Sequence, residues 1–195
     1  VNWGTPQDHA QAIAPLRDLK PLFELVTPMP HVALQQMFDE NAPWGVLAYE
    51  KAIYLDALTD DVIDIMMERL PAKESPLSFV PIFPLGGAYG RVPDDQTAFG
   101  GSRATRWAFN IAALTTDPDV LARDRAWVRD LWSALRPHAN SSASYVNFIA
   151  DHDEKRVRAS YGEKYDRLSA IKAIWDPHNV FHHNANIRPA ATVPE

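Results

Sequence analysis

The sequence predicts an α+β fold: an antiparallel β-sheet with helices packed mainly on one face, followed by a C-terminal strand-helix arm. Three observations predict it. Residues 104–115 place Trp107, Phe109, Ile111 and Ala113 at every second position, the period of a half-buried strand, and residues 46–58 are rich in aromatic and apolar residues. Residues 59–70 and 117–135 instead carry apolar side chains at helical spacing. Sixteen prolines against eight glycines divide the chain into short elements separated by fixed turns.

Residues 7–19 have helical composition, with Ile13, Leu16 and Leu19 three apart, and Pro15 is expected to break or restart that helix. Residues 22–26 form a short apolar strand candidate, closed by Thr27-Pro28-Met29-Pro30, and Leu34, Met37 and Phe38 give one face of a brief helix. After the strand at 46–58, Thr59 is an N-cap with Asp60 and Asp61 in the first turn, where the helix dipole favours acids. Val62, Ile63, Met66, Met67 and Leu70 then keep helical spacing up to Pro71. Residues 77–85 alternate in strand fashion, and their prolines point to an edge or a bulge. Gly86-Gly87 reads as a turn or bulge. Asp117-Pro118 starts a helix whose buried side is Val120, Trp127, Leu131 and Leu135. Residues 139–144 read as a small-residue linker, 145–149 as a short strand, 151–158 as a solvated charged loop, and about 162–175 as a last helix. No internal repeat stands out.

A chain of 195 residues is most economically one domain with a real core, and 46% apolar with 23% charged residues is ordinary for a soluble globular protein. A formal charge of −6 without a Lys/Arg cluster argues against a nucleic-acid-binding surface. The absence of cysteine excludes disulfides and thiolate metal sites within the chain. No apolar run approaches the roughly 20 residues needed to span a bilayer. Val1-Asn2-Trp3-Gly4 is neither a signal peptide nor an initiator methionine, so the chain reads as processed, truncated or cut from something longer. The compartment expected is the bacterial cytoplasm.

Tyr145-Val146-Asn147-Phe148, Tyr161-Gly162-Glu163, Arg167-Leu168, Lys172 and Asp176-Pro177-His178-Asn179-Val180-Phe181 stand in order before Asn186-Ile187. Upstream lie Leu85-Gly86-Gly87-Ala88, Arg91-Val92, Asp95 and Thr97-Ala98-Phe99. This collinear set resembles the C-terminal part of berberine-bridge-type FAD-linked oxidoreductases, from about residue 10 to residue 189. The resemblance implies a substrate-binding sheet over residues 1–139 and a family-type arm over 140–195, together one structural unit. It implies FAD as cofactor of the intact protein, bound mainly by a flavin-binding domain or chain that these residues do not contain. It further implies oxidation of an alcohol, sugar or related small molecule by hydride transfer to the flavin. Exposure of the face that such a domain covers predicts self-association or an intimate partner chain. The alternative is a standalone α+β binding or interaction module without redox chemistry.

Many relatives place a tyrosine base where this chain has Phe148, which accepts no proton. Tyr145 is then the candidate catalytic phenol, and Tyr145, Asn147 and Asn184 are the candidate flavin contacts, with Ala185 standing where relatives carry an amide. A phenol needs a neighbouring cation or base to act near neutrality, and Lys51 on the strand with Tyr49 is the candidate; an exposed strand lysine is the equal alternative. Tyr49, Lys51, Tyr89, Arg91, Trp107 and Phe148 are the candidate substrate contacts; of the sheet aromatics Tyr49, Tyr54, Trp107 and Phe109, one or two are expected to line the pocket, with core packing the competing reading. His178, His182 and His183 have an H-x3-H-H spacing, but a turn there would not face them together, so no metal site is assigned. Gly86-Gly87-Ala88-Tyr89-Gly90 lacks the spacing, lysine and following helix of a phosphate cradle.

Overall fold

Two nine-residue runs without glycine or proline form the long strands β1 (Leu47–Leu55) and β3 (Trp107–Thr115) of a computed structural model. The structure describes residues 4–37, 39, 43–101, 103–139, 145–148 and 153–191. The expectations for Phe38, for residues 140–144 and for Ile149 lie outside them. β1 and β3 pair antiparallel, from Leu47 opposite Thr115 to Leu55 opposite Trp107. The short β2 (Ile82–Pro84) joins the other side of β3, and Phe79 bridges to Ala112, giving the order β1-β3-β2. Pro81 and Pro84 donate no amide, which confines this segment to an edge, as expected.

Helices cover one face. Thr59 accepts from the Val62 amide (3.4 Å) and starts α3 (Asp60–Arg69). Asp117 accepts from Asp119 and Val120 and starts α5 (Pro118–Leu135), numbered after α4 (Ala88–Arg91). Val62 and Met66 of α3, with Trp127, Val128, Leu131 and Leu135 of α5, meet Tyr49, Ile53, Leu55, Phe109, Ile111 and Ala113 of the sheet. Each fully buried aliphatic side chain of this set stabilises by about 1.5–3 kcal/mol. Trp127 Nε1 donates to the Arg69 carbonyl (2.8 Å), fastening the end of α3 to α5.

A polar pin closes the other end of this layer. Asp124 of α5 is buried and accepts from the amides of Glu74 (2.7 Å) and Ser75 (3.1 Å) and from Ser78 Oγ (2.6 Å). Ser75 Oγ in turn donates to the Leu114 carbonyl (2.5 Å), and the Leu114 amide donates to Ser78 Oγ (3.0 Å). Burial alone would raise the Asp124 pKa. Ser78, the two amides and the charge of Lys73 outweigh it and hold the carboxyl below its usual range.

The charged stretch expected as a loop is instead helix α6 (Glu154–Tyr161), because Asp153 accepts from the Arg156 amide (2.7 Å) and Val157 and Ser160 are buried. Gly162, at φ +55°, ends it, and α7 (Lys164–Trp175) follows. Beyond α7, Asp176 accepts from the amides of Val180 (2.7 Å) and Phe181 (3.2 Å) and from Lys172 Nζ (2.8 Å). The tail then runs back along α7, with Ser169 Oγ donating to the Arg188 carbonyl (2.6 Å) and the Ala190 amide to the Ser169 carbonyl (3.1 Å). Residues 145–149 were expected as a strand. The Phe148 amide bonds back to the Tyr145 carbonyl (2.9 Å), so Val146–Phe148 is a 3₁₀ turn.

Residues 1–42 form a unit separate from residues 43–195. In the first, Thr5 and Asp8 make a capping box for α1 (Pro6–Asp18), which continues through Pro15; only one backbone bond is lost there. The strand expected at 22–26 pairs with nothing among the described residues, and α2 (His31–Gln36) follows. Leu22, Phe23, Leu25 and Val26 are all exposed.

Candidate functional site

Strand pleating sorts the sheet into two faces. Odd-numbered residues of β1 and β3 face the helices. There Arg125 and Arg129 lie over the Tyr49 ring (4.6 and 5.3 Å), and Arg129 Nε donates to the Tyr49 hydroxyl (3.1 Å). Lys51 Nζ lies 4.4 Å from the Trp132 ring centroid. Trp107, partly buried, packs against the core. Tyr49, Lys51 and Trp107, expected to meet substrate, therefore stand on the face that α5 covers. Their roles there are packing and cation–π contacts.

The second face carries Ala48, Glu50, Ala52 and Tyr54 from β1, Ala108, Asn110, Ala112 and Leu114 from β3, and Phe83 opposite Ala108. The turn at Val146–Phe148 packs against β1 on this side. A chain of rings runs across it. Phe83 stacks with Phe148 (6.0 Å), Phe148 meets Tyr145 edge-on (4.9 Å), Tyr145 stacks with Phe99 (5.9 Å), and Phe99 meets Tyr89 edge-on (5.6 Å). The five rings of this row come from four separate segments (β2, α4, the loop at Phe99 and the turn at Tyr145), and their contacts set where the Tyr145 turn lies. The backbone of Gly101 approaches the ring of Tyr54 so closely that a Cβ there would stand 2.9 Å from Cε2.

Arg103 fixes one end of the row. Its guanidinium lies 4.9 Å from the Tyr89 ring and 4.7 Å from Phe99, and it donates to Thr97 Oγ1 (2.8 Å) while its amide bonds to Asp94 (3.0 Å). Burial pushes the Tyr54 phenol well above its usual pKa, with the nearby phenols of Tyr89 and Tyr145 adding to the shift. Burial also raises Tyr89, although Arg103 opposes it. Both phenols thus stay protonated near neutrality.

Two polar pairs lie in this region. Asn147 Nδ2 donates to the Tyr145 hydroxyl oxygen (2.9 Å), which turns the phenol proton away from the amide. Asn110 Nδ2 donates to Glu50 Oε2 (3.3 Å), and Asn110, only 5% exposed, keeps an Oδ1 without a hydrogen-bond partner. The structure thus brings together Tyr54, Tyr89, Tyr145, Asn147 and Phe148 from the sequence expectation and adds Glu50, Phe99, Arg103 and Asn110. The signal for Glu50 and Asn110 was present in the alternation itself, on the face of Tyr54 and one residue out of step with Tyr49 and Trp107.

Other candidates lie elsewhere. Arg91 is exposed at the end of α4. Asn184 is exposed on the loop after Phe181, in a segment whose hydrogen bonds run to α7. His178 and His182 line an open depression of about 650 Å³ with Asn186 and Arg188, and the His182 and His183 rings are 4.3 Å apart. Among the described residues no three His, Asp or Glu side chains are grouped to hold a metal. Nor is any helix there long and apolar enough to cross a membrane. A planar isoalloxazine ring fits the aromatic and amide groups around Tyr145 and Asn147. Among the described residues Gly86-Gly87 is no cradle for the dinucleotide phosphates, since it leads into the four-residue α4.

The family described as "Berberine and berberine like" matches residues 144–188, the segment that carries the Tyr145 turn, α6 and α7. An FAD-linked oxidoreductase of Dictyostelium discoideum is 22% identical over 170 residues, 87% of this chain and 37% of the relative. Berberine bridge enzyme-like D-2 of Nicotiana tabacum is 28% identical over 186 residues, 75% of this chain and 33% of the relative. The chain thus spans about a third of the length of these curated relatives. Among solved structures, a chitooligosaccharide oxidase superposes with a TM-score of 0.73 at 18% identity, over 96% of this chain and 45% of its own. That likeness is one of fold.

Proposed function

The chain belongs to the berberine-bridge-enzyme-like family of FAD-linked oxidoreductases, and from that premise we propose that it is the substrate-binding part of an enzyme that oxidises an alcohol or sugar. The Tyr145–Asn147 pair within the aromatic row carries the reading. When bound, the flavin supplies hydride acceptance at the substrate carbon. The residues of this chain orient the substrate and take its hydroxyl proton. As its phenolate, Tyr145 is the proton acceptor in this reading and becomes the neutral phenol when the substrate hydroxyl gives up its proton; Asn147 Nδ2 donates to the accepting oxygen, and Phe148 packs beside it. Tyr54 and Tyr89 hold hydroxyl donors beside it. Residues 1–139 supply the sheet and residues 140–195 the arm that meets the flavin-binding domain.

The exposed side chains of the arm support the partner assignment. Ile174, Trp175, Val180 and Phe181 are all exposed, and Lys172 Nζ ties the Phe181 carbonyl (2.8 Å) to the end of α7. The test joins this chain to an FAD-loaded flavin-binding half and mixes the assembly anaerobically with a panel of alcohols and sugars. Bleaching of the visible flavin band by one of them, slowed at least a hundredfold in Tyr145→Phe, is the expected result. Flavin that stays bound and oxidised across the panel overturns the reading.

A further inference from the structure

Lys164 stands where helix physics disfavours it. It is the first residue of α7, at the end of the helix that carries partial positive charge, and Glu163 before it makes no side-chain capping bond. A cation there gains nothing from the helix, so its stabilising contact has to come from elsewhere. The structure supplies one from 65 residues away in the chain: Lys164 Nζ donates to the Phe99 carbonyl (2.7 Å), a charge-assisted bond.

That bond is part of a grip by the α6–α7 corner on the loop at 97–101. The Gly101 amide donates to the Ser160 carbonyl (2.8 Å), and a Cβ at Gly100 would stand 2.7 Å from the same oxygen. The other side of the loop bears on the tyrosines. Gly101 lies against the Tyr54 ring, Phe99 stacks on Tyr145 (5.9 Å), and the Arg103 guanidinium lies over Phe99 (4.7 Å). Phe99 is therefore held twice, at its carbonyl by an ammonium and at its ring by a guanidinium. Its ring is what Tyr145 rests against.

Resting on the reading of Tyr145 as proton acceptor, we propose that Lys164 is a positioning residue: by fixing Phe99 it sets the plane of the Tyr145 ring, and with it the place where the Tyr145 oxygen meets the substrate hydroxyl. It acts through Phe99 and not by contact with the reacting atoms. Proton transfer needs the two oxygens about 2.6–3.2 Å apart, and a misplacement of about 1 Å can cost roughly a hundredfold in rate. Without the ammonium the loop keeps its bond to Ser160 but loses the one at Phe99 itself, and the Phe99 ring is free to slide over Tyr145. Arginine carries N–H donors on a side chain that reaches as far, so it can replace this lysine, whereas methionine cannot.

The full chain, labelled with ¹⁵N and with ¹³C in its tyrosine rings, tests this, the Tyr145 signals being those missing from Tyr145→Phe. Lys164→Met is expected to shift the Tyr145 ring resonances and the Asn147 side-chain amide, while the Tyr49 ring on the helix-covered face keeps its position. Lys164→Arg is expected to restore both. Lys172→Met removes a like lysine–carbonyl bond at the far end of α7 and is expected to leave them unchanged. Lys164→Gln makes the same comparison if the methionine variant does not fold. In the FAD-loaded assembly, the maximal bleaching rate is expected to fall about tenfold in Lys164→Met, with half-saturation by substrate changed less than about threefold, and to recover in Lys164→Arg. Unmoved Tyr145 resonances or an unchanged bleaching rate in Lys164→Met overturn the proposal and leave the oxidoreductase reading standing, as does an equal shift in Lys172→Met. Wild-type flavin that stays oxidised across the panel, with Tyr145 shifted in Lys164→Met, overturns the oxidoreductase reading and leaves the placement of the ring by Lys164 standing.

Discussion

At the scale of single residues, the carboxylate of Asp124 turns inward from a helix whose other acids face solvent and collects three donors from residues 74–78. Its pKa is held below the ordinary 3.8, so folding favours the ionised form. That contribution is complete above pH ~4 and is lost as the pH falls through the lower folded-state value. Asp124→Asn replaces an acceptor oxygen by an amide that faces donors, and should cost about 2–4 kcal/mol at neutral pH. Urea titrations at pH 7 and pH 3 would show the wild-type advantage shrinking in acid. Nothing in the spacing of α5 distinguishes Asp124 from Asp119 or Asp130, because its partners lie about fifty residues away in the chain. Phe148, by contrast, was legible: its lack of a proton-accepting atom follows from its identity alone.

Elements with their own caps were readable from the sequence, and elements held by distant contacts were not. Thr59 and Asp117 mark α3 and α5 because a cap acts within three residues of itself. Asp153 does the same for α6, but the charges that follow it drew attention to solvent, while Val157 and Ser160 supply the buried side. The Tyr145 turn depends on Phe83 and Phe99, neither of which its own sequence announces. The loop at Gly100 and Gly101 is equally dependent on remote neighbours. A Cβ at Gly100 would stand 2.7 Å from the Ser160 carbonyl oxygen, and Gly101 combines φ +87° with the Tyr54 contact. Gly101→Ala should therefore destabilise by about 1–3 kcal/mol and shift the near-ultraviolet tyrosine dichroism. At the far end, Lys172→Met removes the cation that bonds Asp176 and the Phe181 carbonyl. Faster hydrogen exchange at the Val180 and Phe181 amides, with α5 unaffected, is the expected signature.

For the whole molecule, the sheet and its helix layer were legible, whereas the choice of face was decided by which side α5 covers. Exposed Trp175 and Phe181 on the arm, and Leu22 and Phe23 in the first unit, leave large apolar side chains in water. Sedimentation of the chain alone should show association that grows with concentration, and Trp175→Glu with Phe181→Glu should reduce it. A clean monomer at high concentration would count against an interface on the arm. One contact also bears on how such association is limited. The Trp132 indole N–H donates to the Ala52 carbonyl (3.0 Å), and the Asn110 amide bonds towards Pro81, which places the backbone of its opposite residue Ala52 on the outer edge of β1. The indole thus caps a carbonyl in the middle of the outward edge of β1, the part of a sheet at which foreign strands pair. An added strand would have to dislodge it or stop short on either side. Trp132→Phe removes that donor, and thioflavin fluorescence on mild heating should rise sooner than in the wild type. On that outcome a side chain that packs inward would also limit templated fibre growth.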